Sequence, residues 1–346
     1  MKVFISYTRK DPDKRSQIFG KKLAKFLSAR KIDVIFDEIS FKHSKSIAGE
    51  MIDGIYKSDK FIFLASPSAL KSKYVMAELD WARDRAIKVK PRTFFHVVIV
   101  ADDLPISNLP SDLTSYLCHQ THGKSELKLL YEIFLSLNGI IFGDLEKKML
   151  AHNPDSAWVM PELYRKIRIN NERGDATIST LRTMLNIGEI TEHETRYMYL
   201  WAENGELPKN INLRAYNQDG KDLKISSEVV EYRGHESLKY KIVFDDKVDP
   251  EEVVSFWTTY NWKRKFDLVG GSKYTLSSED IIYGYLRLDI VFPRNLEVDV
   301  PTVEISHKKG RNSMKLPEIG SNMFSFSTFE TKIGYIYTFH LKCLIG

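Results

Sequence analysis

The chain has 346 residues, 43% of them apolar, 28% charged and 12% aromatic. That balance excludes wholesale disorder, a collagen-like fibre and a mucin-like stalk, and the length suits two domains better than one. The net charge of +5 is uneven, with 25 Lys+Arg against 18 Asp+Glu in residues 1–150 and 26 against 28 in the remainder. A basic first half can attract a polyanion or a phosphate-bearing small molecule. Its cations are dispersed rather than compacted into a patch, so nucleic acid is not the expected partner.

The apolar runs, of which Phe94 to Ala101 is among the longest, fall far short of the ~20 residues of a membrane-spanning helix, and no membrane partner is expected. The N-terminus passes directly into Val3-Phe4-Ile5-Ser6-Tyr7 without an apolar signal core, which makes the cytoplasm the expected compartment. Cys118 and Cys343 stand far apart, with no CxxC and no clustered histidines. Neither a disulfide framework nor a metal site is expected.

Four short apolar runs punctuate the first part: Lys2–Tyr7, Ile32–Phe36, Lys60–Ala65 and Phe94–Val100. Each is continuous rather than alternating, as in strands covered on both faces of a parallel sheet. Helical spacing lies between them. Asp11-Pro12 reads as a cap and first-turn proline ahead of Phe19, Leu23, Phe26 and Leu27, and Ala48, Met51, Ile52 and Ile55 form a second stripe. Ser66-Pro67 opens a third that includes Leu70, Met76, Leu79, Ala82 and Ala86, and Glu126–Leu137 reads as a closing helix. Strand and helix alternating in this way predict a flavodoxin-like doubly wound α/β domain over residues 1–150.

Beyond a link at 151–157, which contains Asn153-Pro154-Asp155, the texture changes to short β-rich stretches rich in aromatic and β-branched residues. These include Ala176–Leu181, Leu238–Phe244, Val253–Tyr260 and Tyr285–Phe292, with turn dipeptides such as Asn204-Gly205, Asp219-Gly220 and Gly270-Gly271 between several of them. The pattern predicts an antiparallel β-sandwich over 158–346, as one large unit or two small ones. The Phe256–Trp262 aromatic stripe reads as its core, with a possible basic rim at Lys263-Arg264-Lys265.

In an open parallel sheet, ligands bind beyond the carboxyl ends of the strands. The first strand delivers Tyr7, Thr8 and Arg9 there, and the second delivers Asp37 and the polar loop after it. The third delivers Ser66, ahead of a helix carrying Tyr74 and Glu78 four residues apart, a spacing that shares one helix face. A glutamate on such a helix is ordinarily a solvated charge, and Tyr74 could equally be a core-edge aromatic. Gly123-Lys124-Ser125 is not a phosphate-binding loop, because the leading glycine position holds Cys118.

The segments Val3–Arg9, the Asp37 loop, Phe63–Leu70 and Ser72–Leu79 together resemble a TIR (Toll/interleukin-1 receptor) domain, over about residues 1–140. The Ser-x-aromatic-x-x-x-Glu-Leu pattern ending in Glu78 and Leu79 is similar to that of the enzymatic, NAD-cleaving members, with Tyr74 where tryptophan is frequent. The resemblance implies that Glu78 is the catalytic carboxylate and that Thr8 and Arg9 line the nicotinamide ribose and phosphates. It also implies that Tyr74 packs beside the sugar and that Phe41 and Ile47 belong to a mobile loop. Lys42–Lys45 stands where many relatives have glycine, and Thr8 where some have arginine.

The implied activity is an NAD+ nucleosidase that gives nicotinamide and ADP-ribose, or a cyclic ADP-ribose, with NAD+ as substrate and no further cofactor. The implied partners are other copies through TIR self-association and an unidentified trigger bound by the β-rich domain, as in a bacterial anti-phage immune effector. The alternative is a non-enzymatic TIR adaptor.

Overall fold

The computed structural model describes residues 1–36, 47–89, 91–101, 104–121, 123–152, 158–188, 192–195, 198–201, 211–232, 235–278, 282–307, 310–332 and 334–344. The chain divides into two compact units, Met1–Ile141 and Phe142–Gly346. The division falls before the expected end of the first domain at 150, because the helix Phe142–His152 groups with the second unit. Residues 153–157 of the expected link lie outside the described residues.

The first unit is a five-stranded parallel sheet: β1 Lys2–Ser6, β2 Asp33–Ile35, β3 Lys60–Ala65, β4 Phe95–Ile99 and β5 Leu117–Gln120. The strand order is β2-β1-β3-β4-β5, every pair parallel. This is the doubly wound arrangement read from the sequence, with its topological switch between β1 and β3. The fifth strand escapes a search for apolar runs because Leu117-Cys118-His119-Gln120 is short and half polar.

Pleating divides each strand between two faces. Phe4, Phe61, Phe63, Ala65, Phe95 and Val97 pack in one cluster with Val75, Leu79, Ala82 and Ala86 of helix Lys73–Lys88, here α3. The helix Arg15–Ala29 (α1) buries Phe19, Gly20, Leu23, Ala24 and Leu27, the expected stripe. Gly20 is required there by close approach, since a Cβ would sit 2.8 Å from the Phe36 ring. Helix Ile47–Lys57 (α2) adds Ile55 to the first cluster, and helix Glu126–Leu137 (α4) closes the unit. The start of α1 differs from the expected Asp11 cap: the helix begins after Lys14, which adopts φ 56°, and Asp11 instead accepts from the Ser16 backbone N–H at 3.3 Å.

In the second unit, helix Phe142–His152 (α5) precedes fifteen described strands. They are β6 Trp158–Ile169, β7 Ala176–Asn186, β8 Glu192–Glu194, β9 Met198–Trp201, β10 Arg214–Asn217, β11 Asp222–Tyr232, β12 His235–Val248 and β13 Val253–Trp262. The remainder are β14 Ser272–Ser277, β15 Tyr283–Val291, β16 Thr302–His307, β17 Gly310–Lys315, β18 Glu318–Gly320, β19 Met323–Phe329 and β20 Ile336–Leu341. One sheet runs β18-β19-β15-β6-β7-β13-β10-β11-β12-β8, with β9 also on β12, and a second runs β14-β20-β16-β17. The described pairs are antiparallel except β6 with β15. Both sheets feed a single apolar cluster, in which Phe326 of the long sheet meets Phe339 and Tyr337 of the short one at ring centroids of 5.5 and 5.6 Å. One large β-rich core, not two small ones, therefore fills the region.

Alternation also sorts the aromatic stripe of β13. Phe256, Tyr260 and Trp262 are buried in that core, whereas Trp257 is only half-buried and packs with Tyr164 and Tyr216. At the expected basic rim, Lys265 Nζ lies 4.5 Å over the Trp262 ring.

Two histidines sit inside the first unit. His96 on β4 and His119 on β5 are buried with parallel rings 6.3 Å apart, and Ser136 Oγ of α4 lies 3.2 Å from His119 Nε2. Burial, with neighbouring positive charge, pushes His96 down to about 3 and His119 down to about 4. Both imidazoles are thus neutral in the folded unit, while the unfolded chain takes up protons near pH 6.5. Their contribution to stability is complete above that pH. It falls as the solution is acidified toward about 4, by about 1.4 kcal/mol per pH unit and imidazole. Replacing His119 with Gln removes one titrating group, and urea unfolding of this variant across that window will show a shallower pH slope than the natural chain.

Candidate active site

Glu78 is the feature that the helix pattern alone does not explain. The buried positions of α3 are Val75, Glu78, Leu79, Ala82 and Ala86, spacings of three and four that form one stripe against the sheet. A carboxylate thus occupies a core position and is 5% exposed. Ionised carboxylates are costly to bury unless hydrogen-bonded. Ser6, last residue of β1, donates its hydroxyl to Glu78 Oε2 at 2.5 Å. The pleat explains the meeting: Ser6 follows Phe4 by two residues and so faces the same α3-covered side. Ser6 lies opposite Phe63 of β3, which places the pair at the carboxyl edge of the sheet beside the switch between β1 and β3.

The other expected site residues distribute around that edge. Tyr7 is buried and stacks on Phe36 at 4.6 Å. Thr8 is buried and its hydroxyl accepts from the Lys10 backbone N–H at 3.2 Å, whereas Arg9 is exposed. Ser66 caps the short turn Pro67–Leu70 by accepting from the Ala69 N–H at 3.1 Å, and its own hydroxyl donates to Asp11 at 2.7 Å. Tyr74 is 77% exposed. It lies one turn before Glu78 but not in its environment: the buried stripe of α3 begins at Val75 in that same turn, and Tyr74 stands beside it facing outward. Asp37 and Phe41 lie outside the described residues. Ile47 begins α2, and its side chain is likewise outside the description.

Sequence reasoning left Ser6 out of the site and gave Asp11 only a capping part. Asp11 in fact ties a strand end to a helix start: one oxygen accepts from Ser66 after β3, and the other from the backbone and hydroxyl of Ser16 in α1. A cleft of about 400 Å³ opens beside it, lined by Asp11, Asp13, Arg15, Ser66, Pro67 and Val100. A second, of about 370 Å³, shares Asp13, Arg15 and Val100 and reaches Thr121 and Lys124. Glu78 lines neither. Both clefts lie over strand ends, and Phe19 and Leu129 place the second on the side covered by α1 and α4, while Glu78 stands on the side covered by α3.

The short contact from Ser6 to Glu78 is interior. Ser6→Ala leaves a buried carboxylate oxygen without that donor, and urea unfolding of the variant is expected to show a loss of about 1–3 kcal/mol.

Residues 3–130 match the family model described as TIR domain. Among solved structures, the chain is similar to the TIR domain of the Toll-related receptor TRR-2 from Hydra magnipapillata, at 15% identity over 39% of this chain and 97% of that one, TM-score 0.31. It is similar to the TIR domains of the activated Roq1 resistosome at 20% identity, over 38% of this chain and 96% of that one, TM-score 0.32. It is also similar to yeast LTA4 hydrolase at 9% identity, over 59% of this chain and 33% of that one, TM-score 0.32. No curated protein matches the chain. With its parallel sheet in the order β2-β1-β3-β4-β5 and the family match over residues 3–130, the N-terminal unit of this chain is a TIR domain.

Proposed function

We propose that the TIR domain cleaves the bond between nicotinamide and ribose in NAD+, with Glu78 as the catalytic carboxylate. The observation that carries this reading is a glutamate in the apolar stripe of α3, 5% exposed and held by Ser6 at the carboxyl edge of β1. A surface charge or an adaptor face has no need of such a group, and burial of it works against stability.

The chemistry follows from the bond. Its heterolysis leaves positive charge on the ribose, and a fixed carboxylate below the sugar stabilises an oxocarbenium-like transition state, as in glycoside hydrolysis. Nicotinamide departs as a neutral base and requires no general acid. Ser6 is a positioning residue, fixing one oxygen of Glu78 before substrate arrives. Arg9, exposed beyond the end of β1, binds the diphosphate, while the buried Thr8 and Ser66 hold the strand ends beneath it through the Lys10 N–H and Asp11. Water as acceptor gives ADP-ribose; an adenine nitrogen of the same molecule gives a cyclic product.

Tyr74, exposed and one turn before Glu78 on α3, completes the sugar pocket when a neighbouring copy covers it. Activity therefore depends on self-assembly, and the β-rich unit receives the trigger, in keeping with an immune effector directed at phage. The test is release of nicotinamide from NAD+ by the purified chain over a range of protein concentrations. The expected rate rises more steeply than the first power of protein concentration, with ADP-ribose or its cyclic form as the second product. A rate strictly proportional to protein would contradict the dependence on assembly. Absence of nicotinamide release with assembled protein would favour the adaptor.

A further inference from the structure

The interior of the β-rich unit contains positive charge that no carboxylate among the described residues neutralises. Arg165 on β6 and Arg182 on β7 project into the same core face. Register places Arg165 opposite Thr180, and Thr180 opposite Thr258 of β13. Arg182 is 7% exposed and donates from Nη1 to Thr258 Oγ1 at 2.8 Å. Arg165, half-buried, donates from Nε to Thr180 Oγ1 at 2.9 Å and from Nη1 to the Tyr274 hydroxyl. Tyr260 lies within electrostatic reach of both arginines, and Tyr240 of Arg165. Among the described residues no carboxylate pairs with either arginine.

The same sheet shows what a neutralised arginine looks like. On the opposite face, Arg287 is held by Asp289 at 2.5 and 3.1 Å, and Asp289 also accepts from Ser325 at 2.6 Å and Tyr164 at 3.0 Å. Glu162, the buried acid nearest to Arg165 in sequence, stands opposite Thr183 and so belongs to that opposite face. Arginine cannot escape its charge by losing a proton, and an unpaired interior charge is strongly destabilising.

Hydrogen bonding is unbalanced in the same direction. Thr180, Thr258 and Tyr274 each accept from an arginine, which leaves their own hydroxyl protons to donate onward. The Tyr240 hydroxyl is fully buried and has no hydrogen-bond partner among the described residues. The cluster therefore holds two permanent cations and several donors, and among the described residues it has no acceptor carrying negative charge.

We propose that this cluster is an anion site that takes a phosphoryl group, whose charge matches two guanidinium groups and whose oxygens match their planar forks together with the threonine and tyrosine hydroxyls. Arg165, less buried than Arg182, marks where the site meets solvent. This inference stands apart from the reading of Glu78, since it concerns the other unit.

The test uses the full chain with inorganic phosphate in one arm and glycerol phosphate in the other, against sodium chloride at equal ionic strength, read by titration calorimetry. Saturable binding of one anion per chain is expected. Phosphate alone would identify the free ion, and binding of the ester would identify the end of a larger molecule. Arg182→Met is expected to weaken binding by about tenfold to a hundredfold. Its unfolding midpoint without phosphate should be equal to or above that of the natural chain, because an uncompensated charge is removed. Tyr240→Phe, which deletes only an unpartnered hydroxyl, keeps the fold and weakens binding by about tenfold. No saturable binding of either phosphate compound, an equal response to chloride, or unchanged binding by both variants would overturn the proposal.

Discussion

The TIR unit is organised around a carboxylate in a place where a hydrophobic side chain would be more stable. Glu78 replaces one apolar position in the stripe of α3, and its oxygen is held by the hydroxyl that ends β1. Three features must agree for that contact to exist. The pleat of β1 must turn Phe4 and Ser6 to the same side, α3 must lie on that side, and its capped start at Ser72 must set the rotation that brings Glu78 inward. Each is a consequence of ordinary packing, and together they place a charge beside the switch point between β1 and β3, where doubly wound sheets present ligand sites.

The β-rich unit departs from core economy in a related way. Arg287 and Asp289 show that its long sheet can bury a cation with a counter-charge and a full set of hydrogen bonds, and the same hydrogen bonds hold the Asp289 carboxyl low despite the burial that works to raise it. Arg165 and Arg182 lie on the other face, where no described carboxylate makes that provision. Stability alone accounts for neither these arginines nor Glu78. Such local conflicts with packing are where function is expected to lie.

Much of this was legible in the sequence. Continuous apolar runs gave four of the five parallel strands, and the aromatic and β-branched texture after residue 158 gave a β-rich second part. The motif from Ser72 to Leu79 singled out Glu78. What was not legible depended on three-dimensional juxtaposition. The polar β5 has no apolar run to announce it, and α5 groups with the second unit although it continues the helical texture of the first. Exposed strands such as β17, Gly310–Lys315, carry no pattern that separates them from loops. Ser6 gained its part only when pleating set it against α3, and the arginine cluster only when register aligned β6, β7 and β13. Tyr74 shows the converse, because helical spacing predicted company for Glu78 that the helix end does not provide within one chain.

The central claim is that Glu78 is kept in the core for chemistry and at the expense of stability. It is tested most directly by measuring NAD+ cleavage and unfolding free energy on the same preparation of Glu78→Gln. Loss of cleavage is expected together with stability equal to or above that of the natural chain, since an amide of the same shape is easier to bury than a carboxylate. Cleavage retained in the Gln variant, or a fall in stability comparable to that of a broken core contact, would contradict it.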